Sequence, residues 1–279
     1  MSPMRRDPSK LLKPLLKFES IKNDHFPDVD VSHSVGLYVE GLTVTFDGFR
    51  ALDNFNLYVD DGELRCLIGA NGAGKTTLMD VITGRTKPDS GDVYFGQNIN
   101  LIGKTETEIA QLGIARKFQN PTVFEHQTVF SNLELALHGK RGIFDTLLGD
   151  LSSDDLDRID EVLAIIGLKD RIESLAGSLS HGQKQWLEIG MLLSANPRLL
   201  LVDEPAAGMT RSEAERTAEL LTNLAGDRTI IVIEHDMEFI RSIATRVTVM
   251  HQGQMLAEGS MTEIKKNPSV LEVYLGEEY

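Results

Sequence analysis

The chain has 279 residues, of which 41% are hydrophobic and 25% are charged, and its formal net charge is −14. This acidic balance argues against nucleic acid as a partner, and against broad binding to anionic lipid, because both need a cationic surface. No run approaches 18 consecutive apolar residues and the first residues lack a secretory signal, so we expect a cytosolic protein, or one attached to a membrane through a partner. The single cysteine, Cys66, excludes an intramolecular disulfide and is expected to be a buried thiol.

The first 35 residues differ in charge from the rest, because they hold six basic and five acidic side chains. Residues 11–18 mix leucines with lysines and could lie on a membrane surface or a partner, but Pro14 interrupts the helix that such a role needs. We therefore expect a flexible N-terminal extension over 1–35 and a folded domain over 36–279.

Residues 37–46 and 51–59 have the pattern of antiparallel strands joined by a short turn, and residues 89–96 predict a turn and a further strand of the same sheet. Phe46 or Phe49 would lie at the tip of the first turn. An aromatic ring there could stack on adenine or could simply pack against the protein, and the sequence leaves both possibilities open. We take Phe46 as the candidate nucleotide contact.

A glycine-rich stretch fits the phosphate-loop pattern G-x-x-x-x-G-K-[ST] between an apolar run of strand length and a segment with helical spacing. Its glycines let backbone N–H groups close around a polyphosphate, and Lys75 adds a full charge at the terminal phosphates. The Thr76 hydroxyl would be a ligand of Mg²⁺, and Thr77 would reach a phosphate nearer the sugar. The stretch predicts a nucleoside triphosphate site made by Gly69, Ala70, Asn71, Gly72, Ala73, Gly74, Lys75, Thr76 and Thr77.

From about residue 105 to residue 175 the apolar side chains follow helical spacing, which predicts a helical lobe. Ser152 to Asp155 supply capping residues for its last helix. Residues 138–151 could dock a partner or could cover the core of the lobe. The next stretch, 179–185, predicts a Ser-capped helix whose N-terminus attracts anions.

An apolar run of four, Leu199 to Val202, predicts a buried parallel strand that ends in Asp203 and Glu204. Downstream of a phosphate loop, we expect Asp203 to hold Mg²⁺ through water and Glu204 to polarise the attacking water, although both acids could instead cap the following helix. A second strand, 229–233, precedes His235, which could donate a hydrogen bond to a γ-phosphate or to that water.

Together with Gln119, these stretches occur in the order found in the nucleotide-binding subunits of ABC transporters, which the chain resembles over residues 36–279. The resemblance implies an α/β fold: a RecA-like P-loop NTPase lobe with an antiparallel β-subdomain and an inserted helical subdomain at about 120–178. It also implies ATP and Mg²⁺ as cofactors. Two subunits would face each other head to tail, with ATP at Lys75 of one subunit meeting the other subunit's Ser180, Gly182 and Gln183.

In this family Gln119 would sense Mg²⁺ and the attacking water, and the nearby surface at 121–124 would receive a helix of a membrane-spanning permease. The expected partners are therefore permease subunits, a second related ATPase subunit and, indirectly, a solute-binding protein. A heterodimer is expected in the complex, and a homodimer is possible in isolation. The chain would lie on the cytoplasmic face of the inner membrane, held there by the permease.

Residues 206–209, 113–124 and 273–277 look like the branched-chain amino acid importer group. Within that group, 179–185 and 124–130 look most like the urea importer. The resemblance therefore implies hydrolysis of ATP to power a urea importer, with a branched-chain amino acid or related solute as the alternative. The solute does not touch this subunit, so no residue here identifies it.

The chain departs from the family pattern at His181, where glycine is usual, and at Thr210, where many members have aspartate. His181 could add a donor near the phosphate or face solvent, and Thr210 could alter communication between the two sites. A soluble ABC-type ATPase is the alternative from another class. The long heptads of DNA-repair types and the paired domains of ribosomal types are missing, so an iron–sulfur assembly factor is the member hardest to exclude.

Overall fold

The computed structural model describes residues 29–30, 35–117, 122–138 and 151–276. Gln119 and the interior of the predicted docking segment 138–151 lie outside these ranges. In the part that is described, two sheets are formed, and the helices pack on both faces of the larger one.

The smaller sheet is antiparallel, and its four strands within the described residues run in the order β2-β1-β4-β5. It confirms the predicted hairpin and the predicted further strand. Buried and exposed residues alternate along much of β1 and β2, as expected for strands with one face on the core. The strands are β1 (Val35–Phe46), β2 (Phe49–Asp60), β4 (Ser90–Phe95) and β5 (Ile99–Asn100).

The larger sheet has the order β10-β9-β3-β8-β7-β6 among the described residues, and all neighbouring pairs except β10–β9 are parallel. Its strands β3, β7 and β8 are buried along their whole length, as their apolar sequences predict. The strands are β3 (Leu64–Ile68), β6 (Ile114–Lys117), β7 (Leu199–Asp203), β8 (Thr229–Ile233), β9 (Arg246–His251) and β10 (Gln254–Gly259).

One strand of this sheet corrects the sequence analysis. Residues 105–175 were expected to be helical, but β6 lies in that interval and pairs with β7. Its four residues end in Arg116 and Lys117, so it carries no apolar run by which a buried strand is recognised. The charges are tolerated because both side chains find acidic partners inside the protein.

Several helices begin at residues whose side chains cap the first turn. Ser152, Ser180 and Thr210 each accept a hydrogen bond from the backbone N–H three residues later and form a capping box with the acid or amide at that position. Among the described residues, no helix is long and apolar enough to cross a membrane. The helices are α1 (Lys75–Ile82), α2 (Glu106–Gln111), α3 (Val129–His138), α4 (Ser153–Ile166), α5 (His181–Ser194), α6 (Arg211–Leu224), α7 (Met237–Ile243), α8 (Met261–Ile264) and α9 (Pro268–Gly276).

The central strands divide their apolar side chains between two clusters. Leu200 and Val202 pack with α4, α5, α6 and α7, whereas Leu199 and Leu201 pack with α1 and the smaller sheet. This alternation follows from the two-residue period of a strand that is covered on both faces. The sheet therefore fixes the loops at its strand ends relative to helices on both sides.

Two residues of the expected N-terminal extension contact the folded domain. Val29 is buried, and the backbone N–H of Asp30 donates to Oδ1 of Asn98 at 3.1 Å. The carbonyl of Asp30 accepts from the N–H of Gln97 at 3.0 Å. Residues 29–30 thus pack beside the β4–β5 turn.

Candidate functional site

Three neighbouring parallel strands bring the predicted catalytic residues to one edge of the larger sheet. The strands β3, β8 and β7 are adjacent in that order, and each runs in the same direction. The phosphate loop follows β3, His235 follows β8, and Asp203 and Glu204 stand at the end of β7. The carboxyl edge of an open α/β sheet is where ligands bind, so the topology gathers the predicted site in the expected place.

The phosphate loop is enclosed by backbone on two sides. A Cβ added at Gly74 would lie 2.5 Å from the carbonyl oxygen of Ala51 in β2, and one at Gly69 would lie 2.3 Å from that of Met250 in β9. Gly74 also has a φ of 101°, which side chains rarely adopt. The N–H of Gly253 donates to the carbonyl of Ala73 at 3.1 Å. These positions need glycine, because the loop is seated between the smaller sheet and the β9–β10 turn.

The Lys75 ammonium group lies within this loop. Its Nζ donates to the carbonyl oxygen of Gly69 at 2.6 Å and to that of Ala70 at 2.9 Å. Burial lowers the pKa of Lys75, and the negative charges of Glu204 and Asp203 oppose that effect. The charges of Glu204 and Asp203 thus act on the lysine of the phosphate loop.

Asp203 is buried at the end of β7, and burial raises the pKa of its carboxyl group while Arg116 opposes the rise. Nη2 of Arg116 lies 3.6 Å from Oδ2 of Asp203, and Nη1 of the same guanidinium lies 2.5 Å from Oδ1 of Asp80 in α1. Arg116 therefore links the phosphate-loop helix, β6 and β7. Arg116 was not among the predicted site residues, because a basic residue in a short stretch gives no signal of such a role.

Glu204 has left-handed backbone geometry, with a φ of 45°. A residue other than glycine in this region is strained, and its conformation is held by the N–H of Glu204, which donates to the carbonyl of Ile233 at 2.9 Å. Oε1 of Glu204 lies 3.5 Å from Nδ1 of His235. The structure thus brings the predicted general base and the predicted histidine together, with 70% of the His235 side chain exposed.

A third acid at this edge, Glu234, was not among the predicted site residues. Glu234 is buried, and its Oε1 accepts a hydrogen bond from the N–H of Ala206 at 3.0 Å. Its Oε2 accepts from the N–H of His235 at 2.9 Å and from that of Asp236 at 3.3 Å. Glu234 holds the loops after β7 and β8 at their present spacing, so it positions the residues that carry the site.

Ser180, Gly182 and Gln183, which are called the signature residues below, lie at the start of α5, whereas Lys75 starts α1. The hydroxyl of Ser180 accepts from the N–H of Gln183 at 3.2 Å, and Oε1 of Gln183 accepts from the N–H of Ser180 at 3.0 Å. Ser180 also donates to Oε1 of Glu213 in α6 at 2.7 Å. Gly182 is buried under that carboxylate, because a Cβ added there would lie 2.6 Å from Cδ of Glu213.

Of the two departures from the family pattern, His181 contacts the loop between β7 and α6, and Thr210 is the last residue of that loop. Nε2 of His181 lies 3.2 Å from the carbonyl oxygen of Ala207, and 3.3 Å from Nε2 of Gln185. Thr210 caps α6 through the N–H of Glu213. His181 therefore has a structural contact with the loop that follows Glu204.

A buried ion pair lies where the larger sheet meets α5. Nζ of Lys117 is 3.7 Å from Oε2 of Glu188, and both side chains are almost fully buried. Oε1 of Glu188 accepts hydrogen bonds from the hydroxyl of Thr122 at 2.9 Å and from its N–H at 3.3 Å. Glu188 thus contacts the residues on either side of 118–121, the segment that contains Gln119.

The remaining predicted ligands are placed as follows. Thr76 and Thr77 lie in the first turn of α1, and Phe46 ends β1 with 48% of its surface exposed. In the described residues no group of three or more His, Cys, Asp or Glu side chains could hold a metal ion. The donors present are one carboxylate and one hydroxyl, Asp203 and Thr76, and this set fits Mg²⁺, which takes few protein ligands and completes its shell with water and phosphate oxygens.

Comparison with known proteins agrees with this architecture. A family model described as ABC transporter matches residues 52–207, and one described as branched-chain amino acid ATP-binding cassette transporter matches residues 254–279. The chain therefore belongs to the ABC transporter family, and it is an ATPase subunit of the importer type.

Its relatives include the high-affinity branched-chain amino acid transport ATP-binding protein LivG of Escherichia coli strain K12, 38% identical over 86% of this chain and 98% of LivG. BraF of Pseudomonas aeruginosa, which has the same description, is 35% identical over 86% of this chain and 98% of its own. The ADP conformation of an ATP-binding cassette of an ABC transporter superposes with a TM-score of 0.76 at 31% identity, over 87% of this chain and 99% of the other.

Proposed function

We propose that this chain powers the uptake of branched-chain amino acids or closely related small solutes, as the ATP-hydrolysing subunit of an importer. The observation that carries the proposal is the match to LivG and BraF, which extends over nearly the whole length of both relatives. The second family model adds support at the C-terminus, where residues 254–279 match the branched-chain amino acid group. Urea, which the sequence motifs at 179–185 and 124–130 favoured, gains no support from these relatives.

The proposed catalytic roles follow from the strand ends. Lys75 and the N–H groups of the phosphate loop bind the polyphosphate of ATP. Thr76 and Asp203 would hold Mg²⁺, which when bound offsets the charge that develops on the phosphate oxygens. Glu204 accepts a proton from the attacking water, and His235, adjacent to it, donates a hydrogen bond at the same place.

We further propose that two ATPase subunits assemble head to tail around ATP. Support comes from the position of Ser180 and Gly182, which start α5 rather than lining the sheet edge that carries Lys75. A solved relative with a TM-score of 0.68 and 26% identity, over 81% of this chain and 98% of its own, is described as the dimer of a post-hydrolysis state bound to ADP and Pi. Such an assembly couples hydrolysis to movement, because ATP joins the two subunits and its loss separates them.

We also propose that Gln119 senses Mg²⁺ and the attacking water, and that the surface around Phe124 contacts a permease. Phe124 is 53% exposed, a large apolar side chain on the face next to that segment. Permease subunits, a related second ATPase and, indirectly, a solute-binding protein are the proposed partners. The permease would hold the chain at the cytoplasmic side of the inner membrane.

The first test measures ATP-dependent dimerisation of the Glu204→Gln variant by size-exclusion chromatography with Mg²⁺. Removing the general base should trap ATP between two subunits, so we expect a dimer with ATP and a monomer with ADP. Glu238→Gln is the matched control, since Glu238 is an exposed acid on α7. This variant should elute with ATP and with ADP as the wild type does. ATP binding without a dimer in the Glu204→Gln protein would contradict the head-to-tail assembly.

The second test concerns the importer type. The chain is produced in an Escherichia coli strain that lacks LivG but keeps the other subunits of its importer, and uptake of labelled leucine is measured. We expect leucine uptake to return with the wild-type chain and to stay absent with Glu204→Gln. No leucine uptake with the wild-type chain would remove the support for this importer type.

A further inference from the structure

The carboxylate of Glu213 joins the start of α5 to the start of α6. Its Oε1 accepts the hydroxyl hydrogen of Ser180 at 2.7 Å. Its Oε2 accepts the hydroxyl hydrogen of Thr210 at 2.8 Å and the N–H of Thr210 at 3.0 Å. Oε2 therefore completes the cap of α6, and Oε1 binds Ser180, one of the signature residues at the start of α5.

A capping box does not require this second contact. At α2, Oε2 of Glu108 accepts both the hydroxyl and the N–H of Thr105, at 2.8 Å each, which is the same arrangement that Thr210 makes with Oε2 of Glu213. The bond from Ser180 to Oε1 is an addition to that pattern. While Ser180 donates to Glu213 it cannot donate to another acceptor, because a hydroxyl group has only one hydrogen.

The Glu213 carboxylate also covers Gly182. The first N–H groups of a helix lack partners within the helix, and they bind anions together with the positive end of the helix dipole. A Cβ on Gly182 would lie 2.6 Å from Cδ and 2.7 Å from Oε1 of Glu213, so the carboxylate lies directly over this first turn of α5. An internal anion thus lies at the groups that the proposed dimer needs for a phosphate.

We infer that Glu213 competes with the γ-phosphate of the ATP on the opposite subunit for Ser180 and Gly182, and thereby sets the ATP concentration at which two subunits join. This inference rests on the proposed head-to-tail assembly. When the phosphate arrives, the Ser180 hydroxyl turns from Oε1 to a phosphate oxygen. The Glu213 side chain withdraws from α5.

The charge state and the surroundings of Glu213 agree with this role. The hydrogen bond from Ser180, followed by those from Thr210, holds the pKa of Glu213 below its ordinary value, so the carboxylate is charged at neutral pH and repels an incoming phosphate. The two helices stay together without it. Nε1 of Trp186 in α5 donates to Oγ1 of Thr217 in α6 at 2.9 Å, and the guanidinium of Arg216 lies 4.3 Å from the centre of the Trp186 ring.

Two substitutions separate the competing contact from the cap. Glu213→Gln removes the charge, and glutamine still completes a capping box. Glu213→Asp keeps the charge but shortens the side chain. Aspartate also completes a capping box in this chain, because Asp155 does so with Ser152 at α4. Neither change should disturb folding, which thermal unfolding verifies.

The experiment uses the full chain in the Glu204→Gln background and measures, by light scattering, the ATP concentration that gives half-maximal dimer. We expect Glu213→Gln to lower that concentration roughly fivefold, the effect of losing about 1 kcal/mol of competing interaction. Glu213→Asp should change it in the same direction. Glu108→Gln is the matched control, with the same loss of charge from the same type of cap, and should leave it unchanged. Binding of a fluorescent ATP analogue to the monomer should be the same in all variants.

The outcomes distinguish this inference from the proposed assembly. Dimers that form at the same or a higher ATP concentration in both Glu213 variants overturn the inference and leave the assembly intact. Nucleotide binding without dimers in every variant overturns both. A lower ATP requirement in either Glu213 variant, with Glu108→Gln unchanged, supports the competition.

Discussion

Oε1 of Glu234 accepts a hydrogen bond from the backbone N–H of Ala206 at 3.0 Å, and this bond joins the loop after β7 to the end of β8. The same carboxylate holds the N–H of His235 at 2.9 Å through Oε2. Glu204 and His235 lie on these two loops. Glu234 therefore joins the two loops on which these side chains lie, with Oε1 of Glu204 3.5 Å from Nδ1 of His235.

Replacement of Glu234 by alanine should slow ATP hydrolysis strongly while leaving the chain folded. The change leaves buried N–H groups without acceptors, so we expect the free energy of unfolding to fall by about 1–3 kcal/mol. The two loops should also lose their fixed spacing. Urea unfolding and steady-state ATPase rates measure both effects, with the exposed Glu238→Ala as the control. A normal rate in a destabilised protein would show that Glu234 matters for stability alone.

Replacement of His235 by alanine should reduce kcat at least about 100-fold, the lower end of the range for a positioned proton donor or acceptor. Stability should change little, because 70% of the side chain is exposed. The control for loss of an imidazole is His126→Ala, because His126 is exposed and lies in the helical lobe, far from His235 in the sequence. Equal rates in the two variants would remove His235 from the mechanism. ATP affinity of the monomer, measured by fluorescence, should be the same in both.

The sequence predicted those parts of the site that have a local signal. The phosphate loop has a fixed spacing of glycines and a lysine, and the strand before Asp203 is an uninterrupted apolar run. Both patterns reflect what the backbone must do there, so both could be found without a structure. The order of the strands around β3 was not predicted and comes from the structure.

The residues that were missed act through partners far away in the chain. Arg116 reaches Asp80 and Asp203, and Glu213 reaches Ser180, so their roles depend on which elements become neighbours. Glu234 follows directly after an apolar strand and was passed over in favour of His235. A single sequence gives no signal for contacts of this kind, because a charged residue outside a known motif is expected to face solvent.

Cys66 should resist thiol reagents in the native protein. It is fully buried in β3, and burial raises the pKa of its thiol to about 12. Thiolate, the reactive form, is therefore scarce at neutral pH, and reagent has no access to it. We expect slow reaction with 5,5′-dithiobis(2-nitrobenzoate) under native conditions and one equivalent of reaction in denaturant. Rapid native reaction would show that the central strand is exposed.

Replacement of Lys117 by methionine should destabilise the protein by about 3–5 kcal/mol, because it leaves Glu188 buried without its opposite charge. Adding Glu188→Gln should restore part of that loss, since glutamine keeps an acceptor for the hydroxyl of Thr122. Urea unfolding of both single variants and the double variant forms a double-mutant cycle. Additive effects would mean that the pair is not coupled in the folded state.

The pH dependence of the free energy of unfolding should show that the charge on Glu188 causes the lower stability of the Lys117→Met variant. Burial raises the pKa of Glu188 and Lys117 counteracts the rise, so removing Lys117 raises the folded-state pKa further above the ordinary glutamate value of 4.5. A carboxyl group with a raised folded-state pKa keeps its proton better in the folded protein, so stability falls as pH increases from the unfolded value through the folded one. We therefore expect the deficit relative to wild type to be smaller at pH 5 than at pH 8. The Lys117→Met/Glu188→Gln protein has no carboxyl group at this position, so its deficit should not grow from pH 5 to pH 8, and a deficit that grows there in the same way would assign the effect to another group.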